Sequence, residues 1–186
     1  MVTLPSLWLP IVLSGVFVFV ASSVIHMFLS YHKNDFEKLP GEEAAMDALR
    51  PLAIPPGDYM MPYAGGSEHL KSDDFKAKVA KGPVAVMTVY APGDFFNMGP
   101  QLAQWFAYCV LVGVMTAYVG RLTLAPGAEY MEVFRLTGTV AFLCYALALP
   151  QRSIWYKQKW TSTLKSMFDG FIYGMLAAGA FGAFWP

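Results

Sequence analysis

Long stretches of this 186-residue chain carry no charged side chain. Asp, Glu, Lys and Arg are all missing from residues 1–31, 95–120, 136–151 and 170–186. Charged residues make up 14% of the chain, against about 25% in soluble domains, and hydrophobic residues reach 56%. A bilayer core is about 30 Å thick, and a helix needs roughly 20 mostly apolar residues to cross it. The four gaps therefore point to membrane rather than water as the medium. Other scarcities each remove a class of protein. A formal net charge of +0 gives no basic field for nucleic acid. The two cysteines, Cys109 and Cys144, sit in apolar runs without a metal-type partner at CxxC spacing; their similar depth leaves a redox pair open as the lesser alternative. They read as buried reduced thiols acting as small hydrophobes. The chain has no P-loop, dinucleotide fingerprint, GxSxG or HExxH pattern. It has no Lys or Arg before Lys33, so the basic start of a secretory signal is missing. The apolar run continues past Ala21-Ser22-Ser23 to Leu29 and reads as an uncleaved first span.

The apolar runs give four spans, at about residues 8–30, 102–124, 131–149 and 169–184. The fold expected is mainly α, an integral membrane four-helix bundle with a small α+β cytoplasmic insertion. Residues 1–30 form the first helix, 31–100 the insertion and 101–186 the other three helices. Basic residues mark the cytoplasmic side of bacterial membrane proteins. All of them except Arg121 and Arg135 fall between spans one and two or between spans three and four. Both termini are thus expected outside the bacterial inner membrane, with residues 31–100 in the cytoplasm. Trp8 and Trp185 would mark the outer interface; Tyr31, Trp105, Trp155, Tyr156 and Trp160 would mark the inner one.

The insertion carries its own signals. Pro40 followed by Glu42 and Glu43 starts a helix running to about Arg50. Ser72 reads as an N-cap before Asp73 and Asp74. Lys78 and Lys81 close that helix ahead of Gly82-Pro83, matching the helix dipole. Residues 84–90 are β-branched and apolar and read as a strand, with 59–63 as its partner.

Few residues offer chemistry. Gly170, Gly174, Ala178 and Gly182 recur every fourth residue in span four. Small residues at that spacing let helix backbones meet closely in lipid, either within the chain or with another subunit. The helical period continues upstream through Trp160, Leu164, Met167 and Phe168, so this helix begins before the membrane. Asp169 is a lone acid at the edge of span four; it would cap a bend, pair with Lys165 or face a cavity. Glu132 and Arg135 are three apart in the first turn of span three and within pairing reach. His26 lies in the inner part of span one and His32 just beyond it. An intramembrane histidine can ligate haem or a chlorophyll-type pigment, but one span offers no second histidine at matching depth. His69 and Asp73 would share a face only if the helix reached back past Ser72, which the N-cap opposes. No metal, catalytic group or cofactor is expected, with His26 as the single cofactor-binding candidate.

The whole pattern, including residues 153–186, resembles an uncharacterised family of small four-span bacterial membrane proteins. The resemblance implies membrane residence and no activity. The function expected is that of a non-catalytic accessory subunit in a larger membrane complex, such as a respiratory or photosynthetic electron-transfer assembly. Its partners would be other membrane subunits and lipids, not nucleic acid. A small oligomeric transporter or channel is the first alternative; a haem- or pigment-binding protein using His26 is the second.

Overall fold

A computed structural model describes all residues, Met1–Pro186. The elements run α1 (Trp8–Phe28), α2 (Glu42–Leu49), β1 (Gly57–Met61), α3 (Ser67–Lys71), α4 (Asp73–Lys81), β2 (Ala85–Val89), α5 (Gly99–Thr123), α6 (Tyr130–Ala146), α7 (Pro150–Tyr156) and α8 (Trp160–Ala183). The chain divides into two compact units. One is Met1–Glu37 with Gly99–Pro186; the other is Lys38–Met98.

The first unit is all helical. Three of its helical stretches are long and apolar enough to cross a membrane: Pro5–Phe28, Gly99–Thr123 and Tyr130–Tyr156. Helix α8 has comparable length, but Lys165, Asp169 and a run of Ser and Thr dilute its first half. It starts at Trp160, as its upstream period predicts. Prolines appear where helices tolerate them: Pro10 is near the start of α1 and Pro150 opens α7. The third of these stretches therefore runs past residue 149 through a turn into α7.

Two apolar clusters stack along the helices. At one end Val2, Leu7, Ile11, Ala117, Leu124, Val133 and Phe181 pack together with Trp185. Trp185 donates its indole N–H to the Ala125 carbonyl at 2.9 Å, and the Gly127 N–H bonds to the Pro186 carbonyl. The start of α1, the α5–α6 turn and the end of α8 thus lie together. Nearer the other end, Val18, Ile25, Cys109, Val112, Ala141, Tyr145, Tyr173 and Ala177 form the second cluster. Trp105 on α5 donates to Ser22 Oγ on α1 at 2.8 Å. Cys109 is buried as expected. Cys144 is exposed, although Tyr108 of α5 donates to its carbonyl, so the expectation of two buried thiols holds for only one of them.

The small-residue face of α8 is spent inside the chain. A Cβ on Gly170 would stand 2.8 Å from the Ala146 Cβ of α6. On Gly174 it would meet the Gly138 carbonyl oxygen at 3.1 Å and the Phe142 Cβ at 3.2 Å. Ala178 is fully buried, and its Cβ fills the space that Gly138 leaves, while Gly182 accommodates the Tyr130 ring. Close backbone approach of this kind is how helices associate where lipid removes the hydrophobic drive. Of the two uses open to this face, packing within the chain is the one realised.

The second unit follows its signals. Ser72 Oγ accepts from the Phe75 N–H at 3.2 Å, capping α4, and Lys78 pairs with Asp74 at 2.7 Å. β1 and β2 form an antiparallel pair in which Met60 faces Val86. No residue of Lys38–Met98 is buried.

Gly174→Leu should therefore lower the thermal unfolding midpoint in detergent, since overpacking of a close contact costs typically about 1–3 kcal/mol. Gly179→Leu, on the same helix with nothing within 4 Å of its Cβ position, should leave it nearly unchanged. Equal effects of the two substitutions would contradict the packing described.

Candidate functional site

Chemistry-bearing side chains converge where α1 ends. Helix α1 stops at Phe28, because Leu29 takes an extended conformation, and the next residues make a 3-10 turn, Ser30–His32. That turn brings the His32 ring back to 4.6 Å from the His26 ring, centroid to centroid. His26 thus has a second histidine at its own depth, contrary to what the span pattern implies. The reason is that the chain folds back instead of continuing along the helix axis.

His32 is gripped on both sides. Its Nδ1 lies 2.5 Å from Asp35 Oδ2, and its Nε2 lies 2.8 Å from Asp169 Oδ2 on α8. Asp169 is nearly fully buried, at 2% exposure, and its second oxygen, Oδ1, has no hydrogen-bond partner. Lys165, one turn before Asp169, bonds to Asp35 Oδ1 at 2.9 Å and also to the Tyr31 carbonyl. Lys159 reaches the Glu37 carboxylate and the Asn34 carbonyl. The start of α8 is therefore tied to residues 31–37 by two lysines and one histidine. Asp169 pairs with His32, not with Lys165, which is committed to Asp35.

Burial alone would raise the Asp35 carboxyl, but hydrogen bonds from His32 and Lys165 outweigh it and hold it at about 2, below the ordinary 3.8. Lys159 likewise holds Glu37 below the usual carboxylate range. A carboxylate flanked by donors stays ionised because those donors favour the charged form.

The remaining candidates stand apart from this cluster. Glu132 and Arg135 are exposed and no ion pair joins them; with Glu129, Leu136 and Thr139 they line an open concavity on α6. His69 lies in the short α3, outside α4, as the Ser72 cap requires. Asp73 pairs with Lys76 instead. Gly170, Gly174, Ala178 and Gly182 shape the α6–α8 contact and touch none of the cluster's polar groups directly. The sequence reading missed Asp35, three residues beyond His32, and the link from His32 to Asp169 across most of the chain. The His-x-x-Asp spacing at the end of an apolar run, facing a lone acid at the edge of another, is the pattern that marks them.

Comparison with family models, with curated proteins and with solved structures gave no match to this chain.

The sign of the pH dependence follows from Asp35. Its folded value lies below its unfolded one, so the stability it contributes is present above about pH 4 and is lost as pH falls from there toward 2. His32, Lys165 and, through His32, Asp169 are the charged groups that face it. The stability difference between the native chain and Asp35→Asn should shrink across that window in a thermal unfolding series. A difference that stays constant down to pH 2 would contradict the low Asp35 value.

Proposed function

We propose that the protein is a non-catalytic accessory subunit of a larger bacterial membrane complex, docking to a partner subunit through Lys38–Met98. The observation that carries this reading is that this unit has regular structure and no buried residue. A two-stranded hairpin is marginal in water by itself, and a unit this small has too little core to hold it. Leu49, Leu52, Met60, Val86 and Tyr90 are large apolar side chains left exposed on it. A covering surface supplies the burial that the unit lacks. Acidic residues outnumber basic ones between Lys38 and Met98, which favours a protein partner over anionic lipid headgroups.

In this reading α8 is the fourth span of a four-helix bundle. The uncharged residues 170–186 would lie in the membrane beside α6. Both termini would lie outside, and residues 31–100 would face the cytoplasm with the basic residues. An electron-transfer complex, respiratory or photosynthetic, is a host that such a subunit would suit. The transporter alternative has less support. The α6–α8 seam is closed by side chains and backbone, and the charged cluster stands at the end of α1 rather than midway along it.

Gentle detergent extraction from the native membrane, followed by native gel separation and mass spectrometry, should find the chain in a large complex. Met60→Lys combined with Val86→Lys should release it while leaving its helices folded. The two residues are opposite one another on the exposed hairpin face, and a charge there blocks docking without disturbing a core. Migration of the native chain alone as a small oligomer would overturn the reading.

A further inference from the structure

We infer that His26, His32 and Asp169 form a binding site for one divalent transition-metal ion of the zinc class, with Asp35 as the outer carboxylate that orients His32. One ligand atom from each of the three residues lies within 4.8 Å of the others. A four-coordinate zinc ion bonds to nitrogen and oxygen at about 2.0–2.2 Å, which puts its ligand atoms roughly 3.4 Å apart. Side-chain rotations that widen the 2.8 Å His32–Asp169 pair and draw His26 nearer would bring the group to that spacing.

Three features favour an ion over an ordinary hydrogen-bonded cluster. The first is the setting of His32: its two ring nitrogens lie 2.5 Å from Asp35 Oδ2 and 2.8 Å from Asp169 Oδ2. One imidazole held between two carboxylates calls for a positive species there, either a further proton or a metal ion. The second feature decides between these. A proton on Nε2 serves only Asp169 Oδ2. It leaves Asp169 Oδ1 buried without a partner, and it gives His26 no role. A metal ion engages the carboxylate and both imidazoles together. The third is charge. Lys165 balances Asp35, and nothing else in contact with Asp169 carries a permanent positive charge.

The carboxylate–imidazole–metal arrangement is the one by which proteins fix the tautomer of a ligating histidine and raise its basicity. Two imidazoles and one carboxylate select zinc, iron, nickel or copper; magnesium and calcium prefer all-oxygen sites. His26 is exposed, which leaves an entry path and an open coordination position for water. His26 and His32 hang from the end of α1 and Asp169 from α8, so a bound ion would clasp the two helices.

This inference is independent of the docking role of Lys38–Met98. Its test uses the full chain in detergent, purified without a histidine tag, with Zn²⁺ and Co²⁺ as probes at neutral pH. The expected result is one saturable equivalent of zinc per chain, with cobalt giving the visible absorption of a low-symmetry, few-coordinate site. His26→Ala and Asp169→Asn should each weaken binding at least about tenfold. Asp35→Asn keeps every ligand and should weaken it by roughly 10–100-fold. His69→Ala, outside the site, should change nothing. His26 is exposed, so its replacement reports on binding even if Asp169→Asn fails to fold. Absence of saturable binding in the native chain overturns the site, as does unchanged affinity in His26→Ala or an equal loss in His69→Ala.

Discussion

The contact between α6 and α8 sets the height at which the polar groups meet. Gly170 stands against Ala146 closely enough that a methyl group does not fit, and Gly174 and Ala178 repeat the fit against Gly138. This seam fixes α8 along its axis as well as beside its neighbour. Asp169 directly precedes Gly170, so the packing that seats the glycine also sets the level of the carboxylate. The 3-10 turn after α1 delivers His32 to that level from the opposite direction. The site is a consequence of helix packing: without the glycines, Asp169 would have no reason to stand beside His32.

Polar bonds reinforce what the apolar contacts begin. In lipid, helices gain little from burying apolar surface, and small-residue contacts and interhelical hydrogen bonds take over. Trp105 to Ser22 locks α5 to α1 near the second apolar cluster. Lys165 and Lys159 lock the start of α8 to the segment after α1. Ionisable groups are costly to bury unless paired, and here Asp35 is paired with Lys165 and His32, and His32 with Asp169. The Lys38–Met98 unit has the opposite character: it carries many charges and several regular elements, yet no interior. One unit is held by its own seams; the other has no buried residue.

Much of this was legible residue by residue. The charge gaps located α1, α5 and α6, because a helix in lipid tolerates few charges over its length. Ser72 announced its helix through a local rule that tertiary context did not override. Periodicity carried α8 back to Trp160. The four-residue spacing of Gly170, Gly174, Ala178 and Gly182 revealed a packing face, but spacing alone does not name the helix on the other side. Cys144 was misplaced for a related reason: an apolar run shows that a segment lies in lipid without showing which of its faces meets another helix. His26 looked solitary because a linear span holds its residues at successive depths, and only the fold-back after Phe28 brings His32 level with it. Asp35 and Asp169 became partners through a contact between distant parts of the chain, which no local pattern encodes.

The site depends on His32 and Asp169 being in direct contact. A double-mutant cycle with His32→Ala, Asp169→Ala and the pair, read as unfolding free energy in detergent, measures that contact alone. Residues in contact show coupling of about 0.5–3 kcal/mol, whereas distant ones add. The structure predicts a double variant destabilised by clearly less than the sum of the two single variants. Additivity within error would mean that the histidine after α1 and the buried acid of α8 never meet.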